Sequence, residues 1–212
     1  MTVANPESVE FWFDPSCPWC WMTSRWITEV SEVRGFTVNW RPFSLKILNE
    51  GRDKISDRHK TMHAGGLQTL RVIEAARQAH GAEVVGALYT EIGERIHPGG
   101  RTDYDAIIAE ALDALDLPSE LAAYADAETS FTPGDSGVDA ALRDSTAAGL
   151  ELVGKDVGIP IVAVNGKGLF GPVVTPAPQG QAALDLFDAL VLATGVEGFY
   201  ELKRTRTARP QF

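Results

Sequence analysis

Cys17 and Cys20 are the only cysteines in the chain, and they stand three positions apart as Cys17-Pro18-Trp19-Cys20. Two thiols at this spacing can share one sulfur–sulfur bond, and the chemistry open to them is thiol–disulfide exchange. A bond closing so short a loop contributes little through chain entropy, so a structural staple is a poor explanation for the pair. A secreted protein held together by disulfides would also spread more cysteines along its length. Pro18 lacks a backbone N–H and fits best at the first position of a helix, which makes Cys17 the N-cap. A sulfur at that position faces the orphan N–H groups of the first turn and the positive end of the helix dipole. Both favour thiolate over thiol and make Cys17 a nucleophile near neutral pH. Cys20 falls at the third helical position, from which it can reach back to a mixed disulfide held on Cys17. Cys17 is therefore expected to attack and Cys20 to resolve. Two blander readings compete. One is an inert buried pair. The other is a zinc site completed by His59-x-x-x-His63, although those histidines lie about forty residues on, outside the usual ligand spacing.

The elements that must hold this pair can be read from the flanking residues. Val9-Glu10-Phe11-Trp12-Phe13 favours a strand, and Asp14-Pro15-Ser16 breaks it. Trp19 to Val33 runs without Pro or Gly, with Trp19, Met22, Trp26, Val30 and Val33 at helical spacing. Gly35 stops that helix, and Phe36 to Phe43 alternates as a second strand. A strand–helix–strand unit of this length implies parallel pairing with a right-handed crossover. From Ser44 the strand signal vanishes for about ninety residues, replaced by helical periodicity. Leu67, Leu70, Ile73, Ala76 and Ala79 mark one helix, stopped at His80-Gly81. Val84, Leu88 and Ile92 mark a second, stopped near His97-Pro98. Ile107, Ile108, Ala111, Leu112 and Leu115 mark a third, ended by Pro118. A further helix over about Val138 to Val153 leads to a buried strand, Ile161–Val164, and to Asn165-Gly166, a strong hairpin turn signal. Gly168 to Val174 would be its partner strand. Gln181 to Ala193 closes the chain as a helix with Leu184, Phe187 and Val191 inward.

Composition bounds what such a molecule does. The chain has 212 residues, 44% hydrophobic and 23% charged, which is ordinary globular composition. Its formal net charge of -10 argues against nucleic-acid or anionic-membrane partners, which need a basic footprint. No apolar run is long enough to span a bilayer, and Met1 to Ser8 lacks the pattern of a secretory signal. The expectation is an acidic, cytoplasmic globule.

The segments Phe13-Asp14-Pro15-x-Cys17-Pro18-Trp19-Cys20 and Gly158-Ile159-Pro160, with the helical block between them, resemble the DsbA-like branch of the thioredoxin superfamily. Within it the sequence is similar to the cytosolic mycothiol-dependent reductases of actinobacteria, notably the mycothiol-dependent nitroreductases. The residues that narrow the likeness are Phe11-Trp12-Phe13-Asp14-Pro15, Ser44-Leu45-x-Ile47-Leu48-Asn49-Glu50, Gln78-Ala79-His80-Gly81 and the tail Glu201-Leu202-Lys203-Arg204-Thr205-Arg206-Thr207. The expected fold is α/β, a DsbA-like thioredoxin fold of β-α-β then α-β-β-α. Residues 1–43 and 132–212 would form the thioredoxin-like domain, and 44–131 an inserted helical cap over Cys17. The resemblance implies a homodimer with no tightly bound cofactor, which reduces small electrophiles or disulfides with mycothiol as thiol co-substrate. A DsbA-like isomerase acting on an aromatic substrate by thiol addition is the alternative enzyme, and a zinc-stabilised binding module the alternative without turnover.

The resemblance also implies that Pro160 follows a cis peptide bond and sits against the sulfurs, with the Ile159 backbone offered to the incoming thiol. Read from the residues alone, Pro160 is a strand-start proline. Trp19 packs over a substrate or simply covers the helix start. Asn49 lines the mouth of the site or forms a turn. His59 lines the lid or stays solvated on a polar stretch. Glu10 is a candidate for the buried acid that takes a proton from the resolving cysteine, its alternative being an ordinary exposed strand residue. Lys203, Arg204, Arg206 and Arg209 read as a solvated basic tail, the alternative being a role in dimer contacts or in drawing an acidic substrate toward the site.

Overall fold

The β-branched and aromatic run before Asp14 forms strand β1 (Val9–Phe13), and the proline that cannot donate opens helix α1 (Pro18–Arg34). The computed structural model describes residues 3–52, 55–127 and 137–212. The boundary expected at 131–132 lies outside the described residues. The chain divides into two compact units, one of Met1–Trp12, Pro18–Arg41 and Gly149–Phe212, the other of Phe13–Cys17 and Pro42–Ala148.

The first unit carries a four-stranded sheet in the order β2-β1-β3-β4, with β2 at Val38–Pro42, β3 at Ile161–Val164 and β4 at Lys167–Phe170. β1 and β3 run antiparallel, with Val9 opposite Val164 and Trp12 opposite Ile161. Asn165 and Gly166 join β3 to antiparallel β4 with φ of 50° and 76°, the left-handed pair that a two-residue hairpin turn requires. β4 stops well short of the expected Val174. Gly171 adopts φ 104°, and Pro172 has no N–H with which to continue the ladder. The last helix, α7 (Gly180–Gly195), packs on α1. There the Trp26 indole donates to the carbonyl of Ala183 at 2.9 Å, and the Phe187 ring lies 5.0 Å from that of Phe36. The inward residues of α7 are Ala183, Phe187, Leu190 and Thr194, a stripe turned slightly from the expected Leu184–Phe187–Val191. Val33, expected on the apolar face of α1, is 63% exposed, and the buried residues of the helix end at Val30.

The second unit is helical: α2 (Leu45–Leu48), α3 (Asp57–His80), α4 (Glu83–Ile96), α5 (Tyr104–Ala114), a 3-10 turn (Ser119–Ala125) and most of α6 (Val138–Val153). α3 is its spine, packing on α4, α5 and the 3-10 turn. Leu70, Ile73, Leu88, Ile92, Ile107 and Leu112 are wholly or almost wholly buried here. α3 begins ten residues before the expected Leu67, capped by Ser56, whose Oγ accepts from the N–H of His59 at 3.3 Å. It continues through Gly65 and Gly66, two residues poor at helix formation, where the Tyr104 ring and the segment before Cys17 respectively come close.

Candidate active site

With β1 ending at Phe13 and α1 beginning at Pro18, Cys17 occupies the N-cap position and Cys20 the first turn. Both are buried. The Cys17 N–H closes a turn on the Asp14 carbonyl at 2.9 Å. The Asp14 side chain organises the rest of this segment. Its Oδ1 accepts from the Ser16 N–H at 2.8 Å and the Ser16 hydroxyl at 2.7 Å, and its Oδ2 accepts from the Leu45 N–H at 2.8 Å. Asp14 is fully buried, and desolvation pushes its carboxyl up to about 6 against the pull of those three bonds. The segment sits directly on α3. A β-carbon on Gly66 would stand 2.5 Å from Asp14 Oδ1 and 2.7 Å from Ser16 Oγ, so this approach needs glycine. At Gly65 the neighbour is the ring of Tyr104, whose hydroxyl is pushed upward by burial and then by the Asp14 charge. His97 completes the frame. Its Nε2 lies 2.9 Å from the Pro15 carbonyl, which can only accept, so Nε2 carries the proton. Burial holds this imidazole neutral, lowering its pKa to about 4.

Asp14 and His97 were not singled out by residue type and spacing. Asp14 reads as a strand breaker and His97 as a helix stop. The signal that could have exposed them is Gly65-Gly66 inside an otherwise helical pattern, a mark of close backbone approach.

Around α1 and β3 a second set of contacts is built. The Ile159–Pro160 peptide is cis, and Ile159 is buried. The Pro160 carbonyl accepts from the Gly171 N–H at 2.8 Å. The Pro172 carbonyl, next along, accepts from the Thr23 hydroxyl at 2.7 Å, and the same hydroxyl lies 3.0 Å from the Trp19 carbonyl. The start of β3 is thus tied through residues 171 and 172 to the first two turns of α1. Trp19 is partly exposed, with the Arg206 guanidinium over its ring at 5.0 Å. The tail is exposed, as expected, yet held: Thr175 Oγ1 lies 3.3 Å from the Arg209 carbonyl and accepts from the Gln211 N–H at 2.8 Å.

The remaining candidates are placed as follows. Asn49 ends α2, donating to the Leu45 carbonyl at 2.8 Å, so its turn-forming role is real. It also lines a cavity of about 280 Å³ with Lys46, Glu50, Arg52, Lys60 and His63 among its walls. Glu50 is engaged there by both Nη atoms of Arg143, at 2.8 and 2.9 Å, which holds its carboxyl below the usual range. His63 faces this cavity, and burial lowers its pKa, with His59 and Lys46 adding repulsion. His59 does not line it. That residue is exposed, its Nδ1 lying 2.8 Å from Ser56 Oγ at the start of α3. Glu10 is half-buried and points to Arg41, accepting at 2.7 and 2.9 Å from the guanidinium. The alternation of β1 puts it on the face opposite the fully buried Phe11 and Phe13, only partly covered. Among the described residues no three His, Cys, Asp or Glu side chains are grouped to hold a metal ion.

A β-α-β unit, a helical insertion and an α-β-β-α return, with Cys-Pro-Trp-Cys opening the first helix, make up the DsbA-like thioredoxin fold. The chain belongs to the Rv2466c-like family, the mycothiol-dependent nitroreductases, whose family model matches residues 16–204. It is 32% identical over 200 residues to the uncharacterized protein Rv2286c of Mycobacterium tuberculosis, spanning 94% of this chain and 83% of that one. Among solved structures it is similar to the cytosolic disulfide reductase DsbM from Pseudomonas aeruginosa, with a TM-score of 0.56 and 18% identity over 87% of this chain and 99% of that one. It is also similar to a 2-hydroxychromene-2-carboxylate isomerase, with a TM-score of 0.57 and 16% identity over 88% and 94%. At those identities the two structures share its fold. No described helix is long and apolar enough to cross a membrane.

Proposed function

We propose that this protein is a cytoplasmic dithiol reductase that transfers electrons from mycothiol to small electrophiles, nitroaromatics among them, or to disulfides. The observation that carries the reading is Cys17 at the N-cap of α1 with Cys20 one turn on, in a chain of the mycothiol-dependent nitroreductase family. In the disulfide reaction the Cys17 thiolate attacks one sulfur, breaking the S–S bond and releasing one thiol after protonation. Cys20, as thiolate, then displaces the second thiol from Cys17 and leaves the Cys17–Cys20 disulfide. Two mycothiols restore the dithiol, the first forming a mixed disulfide and the second leaving with it as mycothiol disulfide. With a nitroaromatic, the same two electrons and two protons convert nitro to nitroso and water.

The supporting roles follow. Pro18 fixes the start of α1, and Trp19 offers an aromatic surface to the substrate. Ile159 and Pro160 present backbone to the incoming thiol, and Asn49 contributes to binding. His59 contributes at the rim of the lid, its ring engaged with Ser56. The homodimer and the cap role of residues 44–131 belong to the same reading; sedimentation at micromolar protein tests the first.

The test is a thiol count by mass analysis before and after oxidant, with metal content and mycothiol-coupled turnover of 4-nitrobenzyl alcohol. Both thiols are expected to enter one intramolecular disulfide, return on reduction and retain no stoichiometric metal. Cys17→Ser should lower turnover by about a thousandfold or more, and Cys20→Ser should stall as a mixed disulfide with mycothiol. Full turnover by Cys20→Ser would instead favour thiol addition without net redox change.

A further inference from the structure

Within a chain of net charge -10, the segment 201–209 collects Lys203, Arg204, Arg206 and Arg209 against the single acid Glu201. Among the described residues none of these four cations forms an ion pair. The segment is also positioned. Thr175 holds it at Arg209 and Gln211, and Arg206 lies over the ring of Trp19, the residue between the two cysteines. A guanidinium held over an indole by a cation–π contact keeps N–H donors that can pair with a carboxylate, and its planar fork matches that group bidentately. Trp19 is itself partly exposed.

We propose that Arg206 and Trp19 form a subsite for an aromatic carboxylate, the guanidinium holding the acid group while the aromatic ring lies along the indole. The electrophile preferred by this enzyme is then an anionic aromatic compound, drawn by a local positive field on a molecule whose average field repels it. The choice of substrate rests on the dithiol-reductase reading; the subsite itself does not.

Two measurements decide the matter. In the first, benzoate and benzyl alcohol are titrated into isotope-labelled full-length protein while the Trp19 indole N–H resonance, assigned with Trp19→Phe, is followed by NMR. Benzoate should shift that resonance saturably, with affinity about tenfold weaker in Arg206→Ala and an intermediate loss in Arg206→Lys, which keeps charge but not the planar fork. Benzyl alcohol should bind weakly and be indifferent to Arg206. A Trp19 resonance unmoved by benzoate, or benzoate bound equally by Arg206→Ala, overturns the subsite. In the second, mycothiol-coupled reduction of 4-nitrobenzoate is compared with that of 4-nitrobenzyl alcohol. Arg206→Ala should raise KM for the acid about tenfold with kcat nearly unchanged, and leave the alcohol alone. Equal losses for both substrates overturn the specificity. Should the unaltered protein turn over neither compound, the reductase reading fails, and the titration still decides the subsite.

Discussion

Asp14 and His97 grip the same short segment and respond to acid in opposite directions. The folded Asp14 carboxyl is raised from 3.8 to about 6, so between those values the folded chain binds more protons than the unfolded one. Stability contributed through this group therefore declines as pH rises across that window. The folded His97 imidazole is lowered from 6.5 to about 4, so between those values the folded chain binds fewer protons, and stability rises with pH. Each displacement corresponds to about 3 kcal/mol, and the two largely offset one another between pH 4 and 6. Removing either should uncover the other. Relative to the unaltered protein, Asp14→Asn is expected to gain stability steadily from pH 4 to 6.5, and His97→Gln to lose it. Urea denaturation across that range measures both; profiles parallel to the parent would show that neither group titrates as described. At this scale the placement of Cys17 and Cys20 at the start of α1 was legible because it depends on neighbours in sequence. Asp14 was not, since its burial is imposed by Leu45 and Gly66, far along the chain. Glu10 stayed open between a buried acid and an ordinary strand residue because strand position alone does not show that Arg41 stands beside it.

Among the elements, α3 accepts two helix-weakening glycines, and one of them can be tested against a contrasting position. Gly66→Ala would drive a methyl into Asp14 and Ser16, at a cost of about 1–3 kcal/mol. Gly195→Ala, at the end of α7 with nothing within 4 Å, should instead be neutral or stabilise by up to about 1 kcal/mol. Denaturation midpoints moving in the same direction for both would show that close approach is not what selects Gly66. The hairpin between β3 and β4 was readable because Asn165-Gly166 is a local signal, and the bounds of β3 and α6 emerged with it. The start of α3 was not readable, because its apolar stripe begins at Leu67 and Gly65-Gly66 imitates a boundary. The rotation of the α7 stripe escaped notice for a related reason: which flank of a helix is buried depends on its partner, here α1.

For the molecule as a whole, the α/β order and the helical block between Ser44 and the last α-β-β-α segment follow from periodicity. Their grouping does not. Residues 13–17 fall in the same compact unit as the insertion, although the chain delivers them from β1. Only long-range bonds, from Asp14 to Leu45 and from Pro15 to His97, reveal this. Hydrogen exchange can test the grouping. The Ser16 and Cys17 amides, bonded to Asp14, should exchange with the protection of buried α3 amides and not as a surface loop. Exchange at unprotected rates would contradict it. The Gly66 contact carries a consequence for inheritance and engineering. A helical insertion borrowed from a relative can be exchanged into this chain only if residues 14–16 travel with it, and a trimmed version lacking the insertion would strand the Asp14 carboxylate without its partner at Leu45. The segment before the first cysteine and the block that follows residue 44 are a single heritable part, written in two places.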